Sequence, residues 1–315
     1  MKKAFALAAV LAVAASASAF DVIIEGDDSA ANTSYNYSTY VSGNPTAVVI
    51  PAAPSAAGTT GLRLDVNTTT ASVDSITVYP VVSTLNLASG NFTLTFDVFP
   101  QHNGDAGGAT GSTEFFTWGA AAAPTNGNTT GTNGFVYALT GDGGSGTDAR
   151  YFSGATTPLA AANIGAGAPN WWGADAVNNT ATQWVAFYPN DGTLGTPVAA
   201  AILAGAPGKQ WTTVRLTVTN GGADRLVEFK KPGDAGFTAV STITGGVGSS
   251  ARPFVGLLDL FTSVGNPGAD QFTVFDNIVI SDGTTSVTYN FEPATTPTPS
   301  PTPAPLAAEN WTNYN

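Results

Sequence analysis

The chain is built from short runs in which apolar and polar residues alternate. In Phe92–Phe99, four apolar side chains share one face of an extended chain, and Thr93, Thr95 and Asp97 share the other. The four are Phe92, Leu94, Phe96 and Val98. Trp211–Thr219 alternates in the same way. A period of two residues predicts strands that bury one face and leave the other partly exposed.

Other runs rich in β-branched and aromatic residues are separated by Gly, Asn, Asp, Ser and Pro, and each predicts a short strand. They are Asp21–Glu25, Tyr35–Val41, Leu62–Val66, Ser75–Tyr79, Thr113–Trp118, Phe135–Thr140, Arg150–Phe152, Gln183–Tyr188, Arg225–Lys230, Arg252–Leu260 and Ser286–Phe291. Asn220–Gly222 predicts a hairpin turn, and only Pro197–Gly205 predicts a helix. Because helices do not separate the strands, the pattern favours an antiparallel β-sandwich or jelly roll over a parallel sheet.

The run Asp270–Ser281 is rich in β-forming residues and contains no Gly or Pro, so it predicts a central strand of a sheet. Strict alternation would divide its side chains between two faces: Phe272, Val274 and Asp276 on one, and Phe275, Asn277 and Val279 on the other.

The first 19 residues predict a secretory signal. Lys2 and Lys3 precede the short apolar run Ala4–Ala15, and Ala17–Ala19 provides small residues for cleavage. The mature chain is then expected to begin near Phe20. The apolar run is shorter than the roughly 20 residues that span a bilayer, and no later run is long enough, so membrane insertion is not expected.

Residues 20–292 are predicted to form one sandwich domain, and the composition changes after Pro293. Residues 293–305 are a Pro/Thr-rich linker of a style that suggests a bacterial source, and such a segment does not build a core. The last residues, 306–315, contain Trp311 and Tyr314. They are either an unstructured end or a tag that binds a sorting or surface partner.

The charge balance narrows the classes of partner. The chain has 22 acidic and 10 basic residues and a net charge of −12. This balance disfavours nucleic acids and anionic membranes, which need basic partners. It is compatible with neutral polysaccharides or metal cations, or it serves solubility alone. The absence of Cys excludes thiolate nucleophiles and zinc–thiolate sites.

Three segments resemble a known family. Phe275–Ile280 resembles the closing strand of bacterial concanavalin A-like (LamG-like) jelly-roll domains, which often carries an aromatic-Asp-Asn-aliphatic run. Trp211–Val218 with Leu226–Phe229 is similar to their Trp-led hairpin, and Pro253–Gly256 follows in the same order. The resemblance implies a secreted or cell-surface protein for carbohydrate recognition or adhesion, often with a structural calcium.

Some members of this family are glycoside hydrolases, and the sequence departs from their Glu-x-Asp-x-(x)-Glu strand. Glu25-Gly-Asp27 is the only partial match, and residues 28–30 supply no second Glu. A Ser-His-Asp triad would have to use the single histidine, His102, and the chain has no Gly-x-Ser-x-Gly elbow. A non-catalytic role is therefore favoured, and an unrecognised hydrolase pair stays an alternative.

The resemblance makes Asp276 the candidate ligand of a structural Ca²⁺, with Glu25 and Asp27 as further ligands from the other end of the domain. Calcium takes six to eight oxygen ligands. The alternative is that the Asp276 carboxylate binds backbone amides or caps the end of a strand.

Trp171 and Trp172 are the candidate sugar-binding residues. Neighbouring side chains of an extended chain point to opposite faces, so one indole is expected to be exposed and to stack on a sugar. Asp175 and Asn178 follow and could bind hydroxyl groups. The alternative is that one indole covers the edge of the sandwich and the other packs under the loop. Of the other tryptophans, Trp184 and Trp211 are expected in the core, and the sequence does not decide whether Trp118 is buried or exposed.

The favoured function is a secreted binding module without catalytic activity that recognises a glycan or a cell-surface polymer. The alternatives are a structural extracellular protein without a small ligand and a glycoside hydrolase of the same fold.

Overall fold

The structure is a computed structural model that describes the chain in separate ranges. They are residues 20–26, 34–39, 50–55, 60–66, 74–80, 82, 84–101, 114–121, 134–141, 149–153, 207–246, 252–259 and 272–291. Only the backbone is described for residues 20–26, 34–39, 74, 121, 152 and 153.

The described ranges contain fourteen strands and one short 3₁₀ turn, Asn220–Gly222. The strands are β1 (Phe20–Gly26), β2 (Ser34–Thr39), β3 (Thr60–Asp65), β4 (Asp74–Pro80), β5 (Phe92–Gln101), β6 (Glu114–Ala121), β7 (Phe135–Thr140), β8 (Ala149–Ser153), β9 (Thr212–Thr219), β10 (Asp224–Lys230), β11 (Thr238–Ile243), β12 (Arg252–Asp259), β13 (Phe272–Ser281) and β14 (Ser286–Tyr289). In these ranges, no helix has the length and hydropathy needed to cross a membrane.

The strands form two antiparallel sheets. The large sheet has eight strands in the order β11-β10-β9-β5-β13-β3-β2, with β14 paired to the second half of β13. The small sheet has six strands in the order β1-β4-β12-β6-β7-β8. Strand β13, which the sequence predicted to be central, lies inside the large sheet. Strand β5 pairs with one side of it, and β3 and β14 pair with the other.

The connections make the sandwich a jelly roll. The chain crosses from β3 to β6 by alternating between the sheets, and it crosses again through β12 and β13. These two later strands lie between strands that come earlier in the chain. In the large sheet β13 separates β3 from β5, and in the small sheet β12 separates β4 from β6. This arrangement confirms the predicted fold class, an all-β antiparallel sandwich of the jelly-roll kind.

The core lies between the inner faces of the two sheets, where the alternating apolar positions meet. Leu94 and Phe96 of β5 are fully buried there, as are Val214 and Leu216 of β9. Trp118 belongs to this core, because its ring stacks between two aromatic rings at centroid distances of 5.3 and 5.6 Å: those of Phe116 and Tyr137.

The predicted strands match the observed ones wherever the chain is described, with ends that differ by a few residues. The predicted Asn220–Gly222 turn is confirmed, and all three residues have positive φ. Strand β11 was not predicted. The predicted strand Gln183–Tyr188, the predicted helix Pro197–Gly205 and the predicted signal, linker and tail lie outside the described residues.

The predicted alternation along β13 is wrong after Asp276. Asn277 has a left-handed backbone with φ of 50°, and the register against β5 shifts between Asp276 and Val279. One extra residue at such a bulge reverses the faces of the residues that follow. Ile278 and Ile280 therefore join the core, and Val279 lies opposite Thr95 on the outer face.

Candidate functional site

The outer face of the large sheet, which points away from the small sheet, carries a continuous set of polar side chains. Cross-strand pairing arranges them in three rows across β13, β5, β9 and β10. The first row is Ser281, Thr93, Thr217 and Leu226; the second is Val279, Thr95, Arg215 and Glu228; the third is Asp276, Asp97, Thr213 and Lys230.

The first two rows, called the open rows below, consist of half-buried residues. In the second row, Arg215 Nε donates a hydrogen bond of 2.7 Å to Glu228 Oε2. The same guanidinium lies 3.9 Å from the ring centroid of Phe237. Threonine hydroxyls beside this pair provide both donors and acceptors on a flat surface.

Residues 50–55, called the strap below, cover the part of the outer face beyond the third row. Ile50 and Ala53 form a buried apolar cluster with Phe99 of β5, Trp211, and Phe272 and Val274 of β13. The indole Nε1 of Trp211 donates a hydrogen bond of 2.6 Å to the carbonyl oxygen of Pro51. Trp211 is buried, as predicted, but it lies under the strap and not between the sheets.

Asp97 joins the strap to the sheet and is completely buried. Its Oδ1 accepts hydrogen bonds from Ser55 Oγ at 2.7 Å and Thr213 Oγ1 at 2.5 Å. Its Oδ2 accepts them from Ser55 N at 3.0 Å and Asn277 Nδ2 at 2.9 Å. These donors replace the water that a buried carboxylate loses, and hydrogen bonds to a charged group are the stronger kind.

Two more buried polar groups lie on the same face. Arg63 of β3 pairs with both carboxylate oxygens of Asp65, and its guanidinium lies 3.8 Å from the ring centroid of Phe272. Gln101 lies opposite Phe272 in the register of β5 and β13. Within the described residues, its Oε1 atom is buried and accepts no hydrogen bond.

The outer face of the small sheet is more deeply buried. It carries a buried apolar cluster that includes Tyr79, Phe115 and Phe254. The guanidinium of Arg150 lies 4.6 Å from the ring centroid of Phe115, and that of Arg252 lies 5.4 Å from Tyr79. The residues of this cluster are buried, whereas the open rows are partly exposed, so the outer face of the large sheet is the candidate site for a hydrophilic ligand.

The residues of the predicted calcium site lie on different sheets. Asp276 is in β13, while Glu25 is in β1 at an edge of the small sheet, and Asp27 lies outside the described residues. Asp276 Oδ1 accepts a hydrogen bond of 2.6 Å from the backbone N–H of Asn277, as the alternative prediction expected. In the described part of the chain, no three His, Cys, Asp or Glu side chains form a group that could hold a metal. The calcium site stays a prediction.

The predicted sugar-binding residues Trp171, Trp172, Asp175 and Asn178 lie between β8 and β9, outside the described residues, as do Trp184 and His102. Their roles stay predictions.

Sequence analysis did not find the Asp97 network or the strap. A single carboxylate among threonines on the polar side of β5 was one available signal. The other was Pro51-Ala-Ala-Pro54, which cannot donate from either proline nitrogen and therefore resists incorporation in a sheet.

The fold and the site define the chain as a jelly-roll sandwich with a polar outer face on its large sheet. No protein-family model and no curated protein matches the sequence. Among solved structures, the chain is similar to the exoplasmic/lumenal domain of VIP36 in its Ca²⁺/Man2-bound form, with 7% identity, coverage of 80% of this chain and 88% of that chain, and a TM-score of 0.37. The Ca²⁺/Man-bound form of the same domain gives 9% identity, coverage of 82% and 93%, and a TM-score of 0.35.

The chain is also similar to the alginate lyase from Klebsiella pneumoniae. The identity is 10%, the coverage is 81% of this chain and 96% of that chain, and the TM-score is 0.31. Identities and TM-scores this low assign the chain to neither family.

Proposed function

We propose that the protein is a secreted binding module without catalytic activity that recognises a neutral glycan through the outer face of its large sheet. The observation that carries this proposal is the arrangement of the open rows, where Thr93, Thr95 and Thr217 adjoin the Arg215–Glu228 pair. Sugar hydroxyls donate and accept hydrogen bonds, and this surface offers both kinds of partner side by side.

The charge of the chain supports a neutral ligand. A net charge of −12 repels nucleic acids and other polyanions. On the open rows, the Arg215 guanidinium is paired with Glu228, so the rows present a balanced charge to a ligand.

The proposal is tested by affinity electrophoresis in gels that contain laminarin, galactomannan or xyloglucan. Thr95→Val with Thr217→Val keeps the side-chain shape and removes two hydroxyls, so we expect about tenfold weaker retention from two lost hydrogen bonds. Thr238→Val is the matched control, because Thr238 is exposed on β11 opposite Phe229 and lies off the open rows. Absence of retention by the wild-type protein in every gel would overturn the proposal and favour a purely structural role.

The same gels test the sugar-binding residues predicted from sequence. Trp171→Ala and Trp172→Ala remove the indoles proposed to stack on a sugar, beside the hydroxyl partners Asp175 and Asn178. Loss of retention in these variants together with normal retention of the threonine variant would move the site to the chain between β8 and β9.

The compartment and the calcium are parts of the same proposal. Cleavage of residues 1–19 gives a secreted or cell-surface protein that begins at Phe20, which N-terminal sequencing of the exported protein tests. If Asp276, Glu25 and Asp27 bind a structural Ca²⁺, its removal by EDTA is expected to lower the melting temperature. An unchanged melting temperature would exclude the calcium site. The tail, 306–315, is proposed to bind a sorting or surface partner.

A further inference from the structure

The strap covers a direct continuation of the open rows. Strands β5 and β13 carry both regions, Trp211 directly precedes β9, and the third row with Asp97 and Thr213 lies at the boundary. Beyond that boundary the rings of Phe99, Trp211 and Phe272 lie under the strap. The outer face is therefore one surface, of which one part is open and the other is occupied by the protein's own chain.

The strap is held by few buried groups. Only Ile50 and Ala53 are buried among its residues, whereas Pro51, Ala52, Pro54 and Ser55 are exposed. It belongs to neither sheet. Its side-chain-mediated links to the sheet include those from Trp211 to the Pro51 carbonyl and from Ser55 to Asp97.

The surface under the strap has the composition of a ligand site. It combines aromatic rings with a small number of buried polar groups, which is typical of sites for small hydrophilic molecules. Trp211 offers an indole N–H, and the buried Asp97 offers two acceptor oxygens.

The contacts of the strap have the chemistry of a bound sugar. The N–H and O–H of Ser55 donate to the two oxygens of Asp97, as two adjacent sugar hydroxyls would. The Pro51 carbonyl accepts from the Trp211 indole, as a sugar oxygen would. Ile50 and Ala53 pack against aromatic rings, as the C–H groups of a pyranose would.

We infer that the strap is an internal substitute for the ligand, and that a neutral oligosaccharide displaces it to reach Trp211 and Asp97. This inference rests on the proposed function and adds a second, covered part to the same site. In the closed state the oligosaccharide meets only the open rows. The apparent affinity for the complete site is therefore the intrinsic affinity multiplied by the fraction of molecules in which the strap is open.

A disulfide provides the test, because the chain contains no Cys that could compete. Ser55 Oγ and Thr213 Oγ1 are 3.4 Å apart, so Ser55→Cys with Thr213→Cys places two thiols in reach of each other across the strap and β9. The probe is the polysaccharide that retains the wild-type protein most strongly. We expect the oxidised double variant to bind about tenfold more weakly than the same protein after reduction, with no effect of reductant on the wild type.

Equal affinity of the oxidised and reduced forms, with retention of both, overturns the inference and leaves the proposed function intact. Loss of retention by every form, including the wild type, overturns both. The single variants Ser55→Cys and Thr213→Cys control for the lost hydroxyls.

Ser55→Ala gives an independent measurement if the double variant does not fold. It removes one of the two strap donors to Asp97, so we expect about tenfold tighter binding and a larger change of tryptophan fluorescence on binding. Trp211→Phe identifies the source of that change. Unaltered affinity in folded Ser55→Ala protein contradicts the inference.

Discussion

At the residue scale, Asn277 connects the path of the central strand to the Asp97 network. Its backbone is left-handed, with φ of 50°, and its side-chain nitrogen donates to Asp97 Oδ2 at 2.9 Å. Asparagine tolerates this conformation better than other residues with a Cβ atom. The Asp-Asn pair in the sequence therefore marks a bulge, with Asp276 accepting the Asn277 backbone N–H.

Replacement of Asn277 separates its two roles. Asn277→Gly keeps the left-handed backbone and loses the hydrogen bond to Asp97, whereas Asn277→Ala also strains the backbone. We expect both variants to be less stable than the wild type, and the alanine variant to lose about 1 kcal/mol more in the free energy of unfolding. Urea unfolding measures the difference, and equal losses would show that the backbone conformation carries no cost.

The residue scale also shows what the sequence could not reveal. The alternation of β5 identified its core and outer faces, because each second side chain is apolar. The reversal at Asn277 was not predictable, since a positive φ leaves no mark in the apolar pattern. Trp211 is buried as predicted, but the sequence could not show which layer covers it, because an indole at the start of a strand fits a position between the sheets and a covered outer position equally well.

At the element scale, β12 is held closely between its neighbours β4 and β6. A Cβ atom on Gly256 would lie 2.6 Å from the carbonyl oxygen of Ile76 and 2.7 Å from Thr117 Oγ1. Because Gly256 has no side chain, β4, β12 and β6 can approach one another closely at the outer face of the small sheet.

Gly256→Ala is expected to lower the free energy of unfolding by about 2 kcal/mol, because backbone atoms of β4 must move. Gly236→Ala is the matched control, since a Cβ atom there meets nothing within 4 Å, and we expect it to change stability by less than about 0.5 kcal/mol. Chemical denaturation of both variants tests this, and a neutral Gly256→Ala would disprove the close approach.

The elements that sequence analysis missed lack the period-two signal. Strand β11 is exposed at three of its six positions, two of them adjacent, so its residues do not alternate between buried and exposed. The strap has no period at all, and its place on the sheet depends on contacts with Asp97 and Trp211 that are distant in sequence. Local pattern therefore predicts the strands that bury one face, and it does not predict a segment positioned by tertiary contacts.

At the scale of the whole molecule, the two sheets differ in how far their outer sides are covered. The cluster of Tyr79, Phe115 and Phe254 on the outer side of the small sheet is buried, whereas the open rows of the large sheet are partly exposed. The outer side of the large sheet is therefore the side on which the proposed ligand site lies.

Alkaline pH is expected to destabilise the sandwich through its buried tyrosines. Burial raises the pKa of Tyr289 to about 12, against an opposing effect of Arg252, and burial also raises the pKa of Tyr137. The folded state favours the neutral phenol, so stability is fully present below the ordinary pKa of about 10 and is lost as pH rises towards 12. At pH 12, ionisation of Tyr289 is expected to lower the free energy of unfolding by about 1–2 kcal/mol.

Thermal unfolding between pH 8 and pH 12 measures this effect. Tyr289→Phe is expected to lose less stability above pH 10 than the wild type does, because phenylalanine has no proton to release. Parallel curves for the two proteins over this range would exclude Tyr289 as a source of the pH dependence.

The insertion of β12 and β13 between earlier strands fixes the order in which the molecule can be completed. Until residues 252–281 are present, β3 and β5 have no shared neighbour, and neither do β4 and β6. During synthesis, each sheet therefore lacks an internal strand until β12 and β13 have been made. The pairing of β12 and β13 with β3–β6 joins residues far apart in sequence, and such pairing is slow. Synthesis of almost the entire chain precedes cooperative closure, so a polypeptide stopped before β12 exposes four unfinished strand edges to chaperones, proteases or other copies of itself.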